Sequence, residues 1–280
     1  MQWRVLMPMV VLATGLVLGA GGCRKAESGP VVLHVYAPCG MEMPFMELET
    51  LFEQAHPGVD VNLLLDNAHI LTERVLDNGE RPDVIASPGG HELARLTEAG
   101  LLKTADIHPF SQLDLCLFVP RANRAAVTSM DDLAKDDVKV LAVADPDKTS
   151  IGHFTVQALQ KAGLWERVKG KVVITGDASQ TYKHVAGEKA DASFAYRSCP
   201  LKTAPDKLEY SKVRVIQSVP GELYGPAYAT VAIVGSTSHR DLADAFVQLV
   251  LSDAGKQIMA KYDLPCLAEP AKGPEKETKP

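Results

Sequence analysis

The chain has 280 residues, 29 Lys and Arg against 35 Asp and Glu, and 46% apolar residues. That is the composition of an acidic globular protein, and without long basic runs it argues against a nucleic-acid partner. Past the N-terminal region no stretch is long and apolar enough to span a membrane, and the length suits one large domain or two smaller ones.

Met1-Gln2-Trp3-Arg4 carries one positive charge, Val5 to Gly19 is a short apolar run, and the small residues Ala20-Gly21-Gly22 lead into Cys23. Residues 1–22 therefore read as an export signal. The small triplet before a cysteine resembles a bacterial lipobox, which implies cleavage before Cys23 and its lipidation; an ordinary secretory signal with a stray cysteine is the alternative. Loss of Arg4 leaves 28 basic against 35 acidic residues, a mature net charge of −7. On this reading the mature protein works on the periplasmic or cell-surface face of a bacterial membrane. Residues 23–30 are its tether.

Val31 to Tyr36 predicts a strand, and the helix after it starts near Met43 with Phe45, Leu48, Leu51 and Phe52 on one face. Pro44 suits a first turn and His56-Pro57-Gly58 stops the helix. The unit repeats as strand Val61 to Leu65 with a helix from Ala68, then strand Asp83 to Ala86 with a helix over His91 to Glu98. A second series follows: strands Leu113 to Val119 and Val138 to Ala144, helix Ile151 to Ala162, strand Val172 to Thr175, helix Ser179 to Ala186, strand Ala192 to Tyr196. The chain returns through strand Ala227 to Val234. Its last helices start at Ser238, where Ser238 and Asp241 resemble a capping box, and near Asp253. Residues 267–280 have too few apolar groups to fold and read as a disordered tail.

Strands alternating with helices imply parallel sheets, and two such series imply two lobes with a cleft. Ligands of open α/β sheets sit beyond the carboxyl ends of strands, where helix N-termini present backbone N–H groups. The junctions Ala37 to Met41, Asp66 to His69, Ser87 to Gly90, Thr149 to His153 and Asp177 to Ser179 are thus the places where a site is expected. Cys39, Cys116, Cys199 and Cys266 remain after Cys23. In an exported protein they suggest two disulfides, with the connectivity open, and no Cys-x-x-Cys spacing supports a redox role.

At these junctions the chain resembles the molybdate-binding proteins of bacterial ABC importers. The closest stretch is Asp145-Pro146, Gly152, Ala158-Leu159-Gln160-Lys161, Gly163 and Trp165; Arg74, Gly79, Asp83-Val84-Ile85-Ala86-Ser87 and Tyr196 fall at matching spacings. The resemblance covers nearly all of residues 31–266. It implies an α/β, two-lobed periplasmic binding-protein fold of type II, each lobe a mainly parallel sheet flanked by helices, with the ligand cleft between them. Lobe 1 is expected over 31–110 and 230–266, lobe 2 over 111–229. The family holds a tetrahedral oxyanion with neutral donors: hydroxyls on two loops, backbone N–H groups at two helix starts, and one tyrosine. Carried over by position, the hydroxyl sites fall on Gly40 and His69, the backbone donors on Ile151 and Ala178, and the tyrosine is Tyr196. Both serine-like hydroxyls are thereby lost.

The first two loops instead bring Cys39, Met41 and His69 toward the same space, with His153 and Cys199 beside the second-lobe positions. Thiolate, thioether and imidazole suit Cu(I) or Zn(II), which makes a soft metal the alternative ligand. Each residue also has a plainer role. Met41 fits core packing, His69 can donate one N–H as a serine would, His153 suits a solvated first turn, and Cys39 and Cys199 suit disulfides. Arg197 could add positive charge or sit on the surface. A Cys39/His69 nucleophile and base would make an enzyme, but no hydrolase motif accompanies them. The expectation is a monomeric, lipid-anchored solute-binding protein, not an enzyme and without a cofactor, that delivers a molybdate- or tungstate-like ion to an ABC permease.

Overall fold

The computed structural model describes residues 29–197, 212–265 and 267. The export signal, Cys23, Cys199, Cys266 and the tail beyond Leu267 lie outside the described residues. Strands β1 (Val31–Pro38), β2 (Val59–Asp66) and β3 (Val84–Ser87) alternate with helices α1 (Glu42–Ala55), α2 (Ala68–Leu76) and α3 (His91–Glu98). Strands β4 (Ile107–Gln112) and β5 (Leu115–Pro120) carry the chain across. The second series runs β6 (Leu141–Ala144), α4 (Ser150–Lys161), α5 (Trp165–Val168), β7 (Val172–Thr175), α6 (Ala178–Ala186) and β8 (Ala192–Tyr196). It ends in β9 (Val213–Ser218), and β10 (Tyr228–Ile233), α7 (Arg240–Leu251) and α8 (Asp253–Lys261) follow.

Two five-stranded sheets result, ordered β2-β1-β3-β10-β4 and β7-β6-β8-β5-β9. The orders match element for element, so the two lobes share one architecture. In each sheet the βαβ units supply parallel neighbours, β2-β1-β3 in the first and β7-β6-β8 in the second. The remaining pairings, β3-β10-β4 and β8-β5-β9, are antiparallel. Each sheet is therefore mixed, not mainly parallel. The strands that enter from a lobe crossing arrive without a crossover helix, and only such a helix turns the chain back into parallel register.

Two strands were not anticipated, β4 and β9, and both lie at the ends of their sheets. Pro109 interrupts β4 where its pairing with β10 shifts register, a position that an edge strand tolerates and a sequence pattern hides. On α1 the residues Phe45, Leu48 and Phe52 are buried, whereas Leu51 is exposed, as are Met43 and Met46. The apolar stripe is thus narrower than predicted. Ser238 does not cap α7: His239 holds that position, and its N–H donates to Thr237 Oγ1 at 3.0 Å.

The aromatic core of the first lobe gathers Phe45, Phe52 and Phe246, with Phe52 edge-on to Phe246 at 5.2 Å between ring centroids. Behind the cleft, Tyr36 donates to the Glu80 carboxylate, which also accepts from Arg74 Nε at 3.1 Å. Burial, then the Glu80 hydrogen bond, pushes the Tyr36 hydroxyl up to about 12. This triad ties the C-terminal end of α2 to the middle of β1 and so fixes where the start of α2 points. The two lobe crossings are themselves joined, Leu113 N–H donating to the Ala227 carbonyl at 2.8 Å.

Candidate functional site

A cavity of about 360 Å³ opens between the lobes. Four helical starts meet at it: the 3-10 turn Cys39–Met41 that leads into α1, and the first residues of α2, α4 and α6. First-turn amides have no carbonyl partner within their own helix, so each start turns N–H donors and the positive end of a peptide dipole toward this space.

Local chemistry sets which amides remain for a ligand. Thr149 caps α4 by accepting from Gly152 N–H at 3.1 Å, and Asp177 caps α6 by accepting from Gln180 N–H at 2.8 Å. Both caps consume a third-position amide, which leaves the amides of Ile151 and Ala178 at the mouth of each helix. Gly152 makes this placement possible: a Cβ there would lie 2.2 Å from the Ala144 carbonyl oxygen. Only glycine lets α4 start so close to the end of β6.

All five residues carried over from the resemblance, Gly40, His69, Ile151, Ala178 and Tyr196, line this one cavity. Cys39 and Met41 line it as well, Cys39 Sγ lying 3.8 Å from Asn67 Oδ1 and Met41 being 2% exposed within the apolar core. His153 does not. It is exposed and stacks on His91 at 5.5 Å between ring centroids. Arg197 also stays out of the cavity and donates to Ser218 Oγ at 3.2 Å. Among the described residues no three His, Cys, Asp or Glu side chains gather to hold a metal ion.

The lining contains residues that the sequence did not single out: Asn67, Glu92, Thr149, Ser179 and Tyr182. Thr149, Ser179 and Asn67 sit at junctions already marked by strand-to-helix transitions, so that signal was present. Glu92 lies in the first turn of α3 and Tyr182 one turn inside α6, where nothing in a helical pattern separates a cavity wall from an ordinary face. The polar groups Ser179 and Tyr182 bring hydroxyls into a site whose first two loops lack serine.

Among the described residues no Lys or Arg lines the cavity; its acidic members, Glu92 and Asp177, are both buried and each accepts from a helix N-terminus. An anion placed here would meet dipoles and neutral donors, with no formal cation from the described residues in the wall. An anion at converging helix starts needs no salt bridge.

Comparisons with known proteins agree with this geometry. The family of bacterial extracellular solute-binding proteins matches residues 33–263. YvgL of Bacillus subtilis, named as an ABC transporter substrate-binding lipoprotein, is 23% identical over 86% of this chain and 91% of its own. The molybdate-binding protein ModA of Haemophilus influenzae is 24% identical over 90% of this chain and 96% of its own. Among solved structures, the periplasmic molybdate-binding protein of Azotobacter vinelandii superposes with a TM-score of 0.67 at 16% identity, covering 85% of this chain and all of that one. At that identity the likeness is one of fold, and it places the chain among two-lobed type II binding proteins. Since the family match spans both lobes and every element around the cavity, the chain belongs to the bacterial extracellular solute-binding proteins.

Proposed function

We propose that this protein is the extracytoplasmic, lipid-anchored binding component of an ABC importer and that it captures a tetrahedral oxyanion of the molybdate or tungstate class. The observation that carries the reading is the convergence of four helical starts and Tyr196 on one interlobe cavity that, among the described residues, has no Lys or Arg in its wall. Neutral donors fixed before binding suit a fully deprotonated oxyanion, which offers only acceptors. The names of the relatives point the same way, toward molybdate and toward ABC transport. In this site Ile151 and Ala178 donate backbone N–H groups, Tyr196 donates its hydroxyl, and His69 donates one ring N–H. Gly40 lets the ligand approach the backbone of the first loop. Cys39 and Met41 shape the wall.

Calorimetric titration of the reduced protein with molybdate, tungstate, sulfate, Cu(I) and Zn(II) tests the reading. Molybdate or tungstate should bind, and Tyr196→Phe should weaken that binding by about 1–3 kcal/mol, the cost of removing one buried donor. Cys39→Ser should be tolerated, because a hydroxyl donates better than a thiol. Binding of Cu(I) or Zn(II) that vanishes in Cys39→Ser, with no response to any oxyanion, would replace the oxyanion by a soft metal.

The anchor is tested separately. Cys23→Ser should move the protein from the membrane fraction to the soluble or uncleaved pool. An unchanged membrane fraction with unmodified Cys23 in mass spectra removes the lipid anchor from the proposal.

A further inference from the structure

One wall of the cavity is also a seam between the lobes. Glu92, on α3 of the first lobe and 2% exposed, reaches across to α4 of the second. Its Oε1 accepts from Ser150 N–H at 2.9 Å, and its Oε2 accepts from the Ser150 hydroxyl and, at 3.3 Å, from Ser87 Oγ. The seam continues on both sides: His91 N–H donates to Ser150 Oγ at 3.2 Å and His91 Nε2 lies 2.8 Å from the Asp147 carbonyl oxygen. The His91 and His153 rings stack across the same boundary with planes 14° apart.

Glycine is required for this closeness. A Cβ on Gly89 would lie 2.2 Å from Ser150 Oγ and 2.3 Å from Ser150 Cβ, so any larger residue would wedge the lobes apart at that point. Gly89 is not at positive φ, and its need for a bare Cα comes from the opposite lobe alone.

We propose that Glu92 is a positioning residue, an internal carboxylate clasp that closes this end of the cleft with the protein's own groups and holds the start of α4 where Ile151 faces the ligand. The carboxylate meets the α4 dipole at its positive end, as an external anion would, but it takes the Ser150 amide and leaves the next one for the ligand. A ligand therefore closes a cleft that is already joined along one edge. The ordering cost of aligning α4 is met within the protein, which raises the binding-competent fraction before any ion arrives.

The clasp does not depend on which ion the cavity takes, so its test uses no ligand. Hydrogen–deuterium exchange of the full chain in oxyanion-free buffer is followed in two peptides, one holding His91 and one holding Ser150. Glu92→Ala removes the acceptor, and Gly89→Ala inserts a wedge without touching the charge. Both should speed exchange in both peptides by about tenfold or more, as the loss of hydrogen bonds to a charged group implies. Wild-type exchange in Gly89→Ala overturns the proposal. So does exchange that rises in the Ser150 peptide alone, which would mean fraying of α4 without lobe opening. Should Glu92→Ala fail to fold, Gly89→Ala decides.

Discussion

Gly152→Ala should lower the melting temperature by roughly 6–12 °C and abolish ligand capture, because its Cβ would meet backbone and not a movable side chain. The nearest atoms would be the Ala144 carbonyl oxygen at 2.2 Å and the Ala144 and Asp145 carbonyl carbons at 2.8 Å. Neither β6 nor the turn after it can yield alone, since β6 is paired on both sides with β7 and β8. The helix must move instead. Overpacking of this kind costs about 3 kcal/mol, the upper part of the usual range, and each kcal/mol is worth roughly 2–4 °C in a chain of this size. The same shift carries the Ile151 amide and the Thr149 cap away from the cavity, so affinity falls together with stability. Thermal denaturation and oxyanion titration of the variant check both parts. A wild-type melting temperature would show that α4 can slide along β6, and the close-approach argument would fail.

Phe246→Ala should be as costly to stability and silent in binding. Phe246 is fully buried on α7, packed edge-on to Phe52 and, at 6.4 Å between centroids, against Phe45. Truncation removes a large apolar side chain and leaves a void that three surrounding elements cannot close, at about 3–5 kcal/mol. No atom of this cluster lines the cavity. Urea denaturation should therefore show a lower midpoint while the ligand affinity of the folded protein stays at the wild-type level. A large loss of affinity in the folded variant would mean that the cavity is coupled to the first-lobe core, contrary to this separation. The pair of variants divides the molecule: Gly152 serves fold and site together, and Phe246 serves the fold alone.

Local chemistry made much of this legible. The buried positions Phe45, Leu48 and Phe52 repeat at helical spacing, and the runs β3 and β8 are short, apolar and buried throughout. Strand-to-helix junctions are visible because caps and glycines punctuate them, and in this topology every such junction on the right side of the sheet points at the cleft. That is why Gly40, His69, Ile151, Ala178 and Tyr196, separated by more than a hundred residues, meet at one cavity. His153 was drawn in by the same logic and does not belong there. Successive side chains of a helix leave in different directions, and two residues past Ile151 the His153 ring leaves toward His91.

What the sequence determined by itself is the order of elements, the periodicity that buries each of them, and the small residues and caps that start each helix, because these follow from neighbours within one turn or one strand. The tertiary structure alone decided the rest. The antiparallel pairing of β10 with β3 and β4 depends on a chain return across the whole second lobe, between Leu113 and Ala227, which carries no local signal. The edge strands β4 and β9 owe their state to a partner strand and not to their own propensity. Glu92 is the sharpest case: a lone acid in the first turn of a helix reads as a solvated, dipole-favoured residue, and only the approach of the second lobe buries it against Ser150 and makes it part of the cleft.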